Sequence, residues 1–153
     1  MKNLSLLVQE LESNFDFIND SDLSVSSGNV GWHLDHCLKV ILVISANVEQ
    51  SDITNYKRNF NIKRSLVFLS GIIPRGKGKA PKSVQPPAII SAEELKNQMQ
   101  LVKIAILKFS NWDPGKNCKH PYFGVLNVKN SQKFLKIHTH HHLKIIKDII
   151  ARK

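Results

Sequence analysis

Cysteine is scarce in this chain, with only Cys37 and Cys118 among 153 residues. Neither belongs to a Cys-x-x-Cys pair, so the sequence lacks the patterns of a zinc finger or a redox dithiol. No export signal accompanies them, and we therefore expect free thiols rather than a disulfide bridge. Cys37 lies in an apolar helical run, which is typical of a small core residue.

Long hydrophobic runs are also missing. No segment approaches the roughly 20 apolar residues of a membrane-spanning helix. The N-terminal stretch MKNLSLLVQELESNFDF is interrupted by Gln9, Glu10 and Glu12, unlike the apolar region of a signal peptide. Hydrophobic residues make up 42% and charged residues 22% of the chain, which excludes an intrinsically disordered protein. We expect a cytoplasmic protein with no membrane partner, folded as a single domain over residues 1–153.

Acidic residues are absent from residues 53–92, although five of the twelve lie in the first 22 positions. The net charge is +10, and a field of this sign attracts nucleic acid, an acidic small molecule or an acidic partner surface. Within the acid-free stretch, Arg75, Lys77 and Lys79 occupy a segment rich in proline and glycine. They are candidate ligands for an anionic substrate, and a solvated, solubilising loop is an equally good interpretation.

Strict apolar–polar alternation is rare, whereas apolar residues recur at helical spacing in four segments. These segments are 4–15, 30–50, 91–110 and 130–151. Asn29 is a plausible N-cap for the second, and Ser91 with Glu94 forms a capping-box pattern for the third. The fold class predicted from this pattern is all-α, a four-helix bundle with a long crossover connection between helices two and three.

That connection spans about 40 residues, and its two halves differ in composition. The first half, YKRNFNIKRSLVFLSG, predicts a short helix that ends at Gly71. The second half, IPRGKGKAPKSVQPP, contains prolines and glycines that exclude regular structure. This basic segment lies between two predicted helices and could cover the mouth of a site.

The tract HTHHH places four histidines in five positions near the end of the chain, at 138, 140, 141 and 142. Steps of three and four residues put His138 and His142 on one apolar stripe of the last helix, together with Leu135, Ile145 and Ile149. Side chains four residues apart on a helix lie about 5–6 Å from each other at Cβ and can converge on one ion. His140 falls on the lysine-rich face. His141 lies beside the stripe, where it could be a ligand, a neighbour of a ligand or a packing residue.

Helix two carries a second pair, His33 and His36, and stepping from His36 reaches an apolar face. A bundle could bring His36 opposite His138 and His142. Three neutral imidazoles then hold a divalent metal and leave one coordination position open, as in catalytic sites. Neither helix has the Glu-x-x-His motif of di-iron bundles, so a single ion is favoured. Buried histidines satisfied only by hydrogen bonds are the alternative.

The candidates for orienting the ligands or transferring protons are His33, Asp35, His120 and His141. His120 precedes a proline and is therefore expected in extended backbone. It could approach the metal as an acid, a base or an extra ligand, or it could pack against Trp112.

Three segments resemble the DinB/YfiT-like superfamily of metal-dependent four-helix bundles, and within it a DinB-like branch of unknown function. NVGWHLDHCLKVI is similar to the start of that family's second helix, HTHHHLKII to the His-x-x-His-His pattern of its last helix, and HPYFG to a stretch before that helix. The family's ligands fall on His36, His138 and His142, with His141 the first of its paired histidines. The resemblance implies a homodimer and, in characterised relatives, thiol-dependent S-transferase, isomerase or hydrolase chemistry. His33 and His140 have no counterpart in the common pattern.

Two classes of function follow. The first is a divalent-metal-dependent enzyme, in which His36, His138 and His142 hold zinc or nickel, and the ion activates water or a low-molecular-weight thiol to attack a small-molecule substrate. The second is a non-catalytic basic bundle that binds nucleic acid or an acidic partner. Aromatic residues are sparse in the basic stretch and no helix-turn-helix is visible, so nucleic acid is the weaker expectation. A bundle that keeps its histidines without turnover is a third possibility.

Overall fold

The computed structural model describes residues 3–57, 59–76 and 78–152 of the chain. Lys77, one of the candidate substrate ligands, lies outside these ranges. In the described part there are five α-helices and one antiparallel pair of strands. The helices are α1 (Leu4–Glu12), α2 (Val30–Gln50), α3 (Ile62–Ser70), α4 (Ala92–Leu107) and α5 (Val128–Ala151), and the strands are β1 (Asn117–His120) and β2 (Gly124–Asn127). Short 3-10 helices cover Phe15–Phe17, Ile53–Asn55, Lys82–Val84 and Lys108–Asn111.

The prediction of an all-α four-helix bundle is wrong, because a β-hairpin leads into the last helix and α3 adds a fifth helix. β1 and β2 pair antiparallel with Cys118 opposite Leu126 and His120 opposite Gly124. Cys118 and Leu126, which face each other, are buried, while Lys119, the residue after Cys118, is exposed. The hairpin therefore follows the period of two that strands require. Each strand has only four residues, too few for that alternation to stand out in the sequence.

The core is formed where α2 packs on α4 and α5, and α1 packs on the same two helices. Its largest fully buried side chains are aliphatic, and each contributes roughly 1.5–3 kcal/mol on leaving water. They include Leu7 and Leu11 of α1, Leu34, Leu38 and Ile41 of α2, Leu95 and Met99 of α4, and Leu135, Leu143 and Ile146 of α5. The two helices that carry six of the seven histidines are therefore held together by the main body of the core.

The start of α2 is fixed by several contacts. The side chain of Asn29 accepts a hydrogen bond from the Trp32 amide at 2.8 Å, which confirms the predicted N-cap. The amide of Gly31 donates to the carbonyl of Ile18 at 2.9 Å. A Cβ at position 31 would lie 2.9 Å from that same oxygen, so glycine is needed for this close approach. The cap places His33 and His36 in the first two turns of α2.

Two further predictions of local structure are confirmed. Ser91 and Glu94 form the capping box at the start of α4, and α3 ends at Gly71, which has a φ of +69°. At the start of α5, the side chain of Asn127 accepts from the amide of Asn130 at 2.9 Å. Since Asn127 is also the last residue of β2, the hairpin continues directly into the helix that carries His138 and His142.

Residues 73–76 and 78–85 form a segment that we call the strap. Apart from the 3-10 turn at Lys82–Val84, its described residues have no regular structure. The Tyr122 hydroxyl donates to the Lys79 carbonyl at 2.9 Å and accepts from the Lys79 amide at 3.2 Å. At the other end, Arg75 forms an ion pair with Asp148 of α5 at 2.6 Å. The strap is thus attached both to the hairpin and to α5.

Among the residues that the structure describes, no helix combines the length and the apolar character needed to cross a membrane.

Candidate metal centre

Three histidines from two helices meet inside the fold. His36 of α2 and His138 and His142 of α5 are 5%, 8% and 8% exposed. One ligand atom from each lies within 4.8 Å of the others. In the described part of the chain, this is the one group of three or more His, Cys, Asp or Glu side chains with such spacing. The three histidines expected from helical phase therefore lie close enough to bind a metal ion.

The ring of His36 is fixed by the backbone of the strap. Its Nδ1 lies 2.8 Å from the carbonyl oxygen of Val84. A carbonyl oxygen only accepts, so Nδ1 carries the hydrogen and Nε2 keeps a free lone pair. Trp32 stacks on the same ring, with centroids 5.1 Å apart and planes inclined by 20°. His36 is therefore held in the tautomer that presents Nε2 to a metal.

His142 is connected to a second buried histidine. The Nδ1 atoms of His33 and His142 lie 2.9 Å apart, and the Nε2 of His33 lies 2.9 Å from the hydroxyl of Ser26. When His142 donates its Nδ1 hydrogen to His33, its Nε2 is left as the ligand atom, and the Nε2 hydrogen of His33 is directed to Ser26. His33 is therefore placed to orient a metal ligand rather than to join the group of three.

His138 has an unsatisfied nitrogen. Its Nδ1 is buried and has no hydrogen-bond partner among the described residues. The ring lies between other rings, with centroids 4.5 Å from His142, 5.1 Å from His36 and 5.3 Å from Phe134. A buried polar atom without a partner costs about 1–3 kcal/mol, a cost that ligation of this imidazole to a cation would offset. The donor set and this unsatisfied ring both fit a divalent transition metal.

The electrostatics of the site keep its imidazoles neutral. Burial is the main cause that lowers the pKa of His36, His138 and His142, and for the last two the neighbouring histidines lower it further. Burial also lowers the pKa of His33 to about 4. Neutral imidazole is the form that binds a metal, so protons compete weakly for these side chains at neutral pH.

Asp35 lies outside the group of histidines. Its carboxylate accepts from the side-chain Nε2 of Gln98 at 2.8 Å and pairs with Lys39 at 2.7 Å. Successive residues on a helix point about 100° apart, so Asp35 faces α4 while His36 faces α5. The structure gives Asp35 a contact between helices and does not bring it to the metal ligands.

His120 lies at the end of β1 beside the site. Its Nδ1 accepts from the amides of Tyr122 and Phe123, both at 3.2 Å, so in the neutral ring the hydrogen is on Nε2. The ring stacks on Phe123 at 4.7 Å, whereas Trp112, the packing partner suggested by the sequence, instead contacts Phe109. Burial lowers the pKa of His120 to about 4.

His141 is half-buried, and its ring centroid lies 5.1 Å from that of His142. Burial first, and then the positive charge of Arg75, lower its pKa to about 4. It is adjacent to the group of three but does not belong to it.

A cleft of about 900 Å³ opens onto these histidines. Its walls come from α2, α5, the strap and the hairpin, and the predicted candidates His120, His141, Arg75 and Lys79 line it. Sequence reasoning missed the Val84 carbonyl, because a backbone acceptor has no side-chain signature. It also missed Lys119, which lines the cleft and whose only signal was its position next to His120.

The chain matches no protein-family model, and it has no significant match among curated proteins or solved structures.

Proposed function

We propose that this protein is a divalent-metal-dependent enzyme whose ion is held by His36, His138 and His142. The observation that carries the proposal is the meeting of these three buried histidines at the wall of a cleft of about 900 Å³. Three protein ligands are the number used by catalytic zinc sites, whereas structural zinc sites usually have four. A cleft of this volume is in the range that accepts a small organic substrate.

When bound, zinc or nickel at this centre would supply Lewis acidity that makes a water molecule or a low-molecular-weight thiol nucleophilic near neutral pH. The residues around it have separate tasks. The Val84 carbonyl and His33 orient His36 and His142, and Trp32 covers one face of His36. The strap and the hairpin form two of the walls of the cleft.

We assign two further histidines to orienting the reacting groups or to proton transfer. His120 and His141 both line the cleft, and both are neutral at pH 7 because burial lowers their pKa to about 4. The Nε2–H of His120 donates a hydrogen bond to a leaving group, and a ring nitrogen of His141 accepts a hydrogen bond from the attacking water or thiol.

The reaction class that fits these groups is nucleophilic transfer or hydrolysis, of the S-transferase or hydrolase type, on a small-molecule substrate. The resemblance of the histidine-bearing segments to DinB-like proteins supports the same class and carries with it the expectation of a homodimer. Sedimentation of the purified protein would test the dimer separately from the chemistry.

Metal content tests the proposal directly. Tag-free protein, loaded with zinc or nickel and then desalted, should retain about one equivalent of metal. His138→Ala and His142→Ala should retain less than a tenth of that, because two imidazoles rarely hold an ion alone. His140→Ala is the matched control, since it removes a histidine from the same tract but not one of the three proposed ligands. Wild-type protein that retains no metal, or a control that loses as much as the two variants, contradicts the proposal.

Activity is the second arm of the test. The metal-loaded protein is incubated with low-molecular-weight thiols and alkylating electrophiles, and with ester and amide substrates. We expect turnover that disappears in His138→Ala and in chelator-treated protein, while His140→Ala remains active. Metal binding without any turnover would support the non-catalytic alternative.

A further inference from the structure

The cleft is distinguished by its charges. None of the described residues that line it is Asp or Glu, whereas Arg75, Lys79 and Lys119 contribute three cations. Of the three, Arg75 pairs with Asp148, a residue that does not line the cleft. The histidine ligands are neutral, so they leave the full charge of a divalent ion uncompensated. The cleft is therefore built for a negatively charged ligand.

One wall of the cleft is apolar and extended. Val40, Val43 and Ile44 of α2 continue along the helix from His36, and Ile145 of α5 lines the same cleft. From position 36 to position 44 a helix rises about 12 Å. This wall favours a ligand with an apolar body about that long.

Arg75 already binds a carboxylate at the edge of the cleft. Its guanidinium donates to Asp148 Oδ2 at 2.6 Å, and only one of its terminal nitrogens takes part in this pair. Asp148 is half exposed and does not line the cleft. A guanidinium that binds one carboxylate from outside can bind a second from inside, because its five donors are arranged as a fork.

We propose that the cleft binds an amphipathic organic carboxylate, with its carboxylate among Arg75, Lys79 and Lys119 and its apolar body along Val40, Val43 and Ile44. As the substrate class of the metal centre, this inference rests on the proposed function. The binding itself needs only the cations and the apolar wall, and so it is expected in metal-free protein as well.

Tryptophan fluorescence can follow this binding at a single residue. The chain has two tryptophans: Trp32 lines the cleft, whereas Trp112 packs on Phe109 outside it. In a Trp112→Phe background, Trp32 is the sole reporter. The probes are octanoate, octan-1-ol and octylammonium, which share an apolar chain and differ in the charge of the head group. Octanoate should bind at least about fivefold more tightly than octan-1-ol, and octylammonium most weakly, since each of the three cations contributes up to about fivefold as an exposed ion pair.

Single substitutions locate the anion. Arg75→Gln and Lys79→Gln should each weaken octanoate binding by about two- to fivefold. Asp148→Asn should strengthen it by a similar factor, because the competing carboxylate is removed. Lys82→Gln is the matched control: it removes one positive charge from the exposed surface of the strap, at a residue that does not line the cleft.

Each outcome decides the question. Equal affinity for octanoate and octan-1-ol would overturn the inference, and so would an effect of Lys82→Gln as large as that of Lys79→Gln, which would indicate only a general attraction by net charge. Absence of stoichiometric metal, with octanoate binding intact in metal-free protein, would refute the proposed enzyme and leave the binding site in place. Metal retention without a preference for octanoate would refute the carboxylate site and leave the metal centre in place.

Discussion

The contact between His33 and His142 leads to a quantitative prediction about metal affinity. In His33→Phe the Nδ1 hydrogen of His142 loses its acceptor at 2.9 Å, while an aromatic ring still fills the space. His33 itself is 3% exposed, so water cannot readily replace the lost partner. His142 is then free to adopt the other tautomer, which carries its hydrogen on Nε2 and cannot ligate.

The size of the effect follows from the position of His33 one contact away from the ligands. Residues that orient a metal-binding imidazole typically contribute about 10- to 100-fold to affinity, or about 1.4–2.8 kcal/mol. His33→Asn should recover much of the loss, because the Asn side-chain oxygen can occupy the place of Nδ1 and accept the same hydrogen bond.

The assay is a competition titration of zinc against a chromophoric chelator at pH 7.5. His33→Phe also removes the hydrogen bond to Ser26, and two neutral bonds are worth about 1–3 kcal/mol of stability. Thermal melts of the metal-free variants therefore accompany the titration and show that each is folded at the temperature used. Asp35→Asn, which alters the α4-facing side of the same helix, is the control for changes in α2.

Two results would refute the reasoning. A change in zinc affinity smaller than about twofold in His33→Phe would mean that the contact does not orient His142. A loss greater than about ten-thousandfold would place His33 among the ligands themselves, since a loss of that size far exceeds what residues one contact away contribute.

Three other predictions concern stability. Burial lowers the pKa of His120 to about 4, so its contribution to the free energy of unfolding should be complete above about pH 6.5 and should be lost as the pH falls from about 6.5 to 4. In denaturant titrations of chelator-treated protein, the free energy of unfolding should therefore fall less steeply with pH in His120→Asn than in the wild type. Gly124→Ala should lower the free energy of unfolding by about 1–3 kcal/mol, because residue 124 has a φ of +70° and the new Cβ would clash with the side-chain Nδ2 of Asn59. Urea titration measures this, and an unchanged midpoint would contradict it. Ser91→Ala should cost about 1 kcal/mol through loss of the α4 cap, with Ser91→Asn as a variant that retains a capping side chain and therefore most of the stability.

Part of the centre could be predicted because helical phase is a local property. His138 and His142 share a face with Leu135 whatever the rest of the chain does, so their convergence follows from a repeat of 3.6 residues. The position of His36 was harder to predict, since the sequence does not give the distance between α2 and α5. The available signal was the position of His36 on the apolar face of α2. Helical phase could also have excluded Asp35 from the candidate site residues, because it precedes His36 by one residue and therefore points to another side of the helix.

Other features were out of reach for physical reasons. The hairpin has strands of four residues, and its closing turn depends on a positive φ at Gly124. The bond between Val84 and His36 joins positions 48 apart and uses a backbone oxygen that every residue possesses. The role of His33 depends on the rotamers of two rings, which packing of the whole core determines.

The hydrogen bond from His36 to the Val84 carbonyl also couples closure of the strap to binding of the ion. If the closed strap favours the ligating tautomer of His36, then an ion on His36 must favour the closed strap by the same free energy. The strap contains trypsin cleavage points after Arg75, Lys79 and Lys82, and proteolysis samples the open population. Occupied protein should thus be cut at these points several-fold more slowly than chelator-treated protein, and the rate of cleavage should report occupancy from a distance. Val84→Pro does not test this coupling, because it keeps the carbonyl that His36 binds. Tyr122→Phe frees the strap at Lys79 without touching His36. It should therefore both raise the rate of cleavage and lower the affinity for the ion.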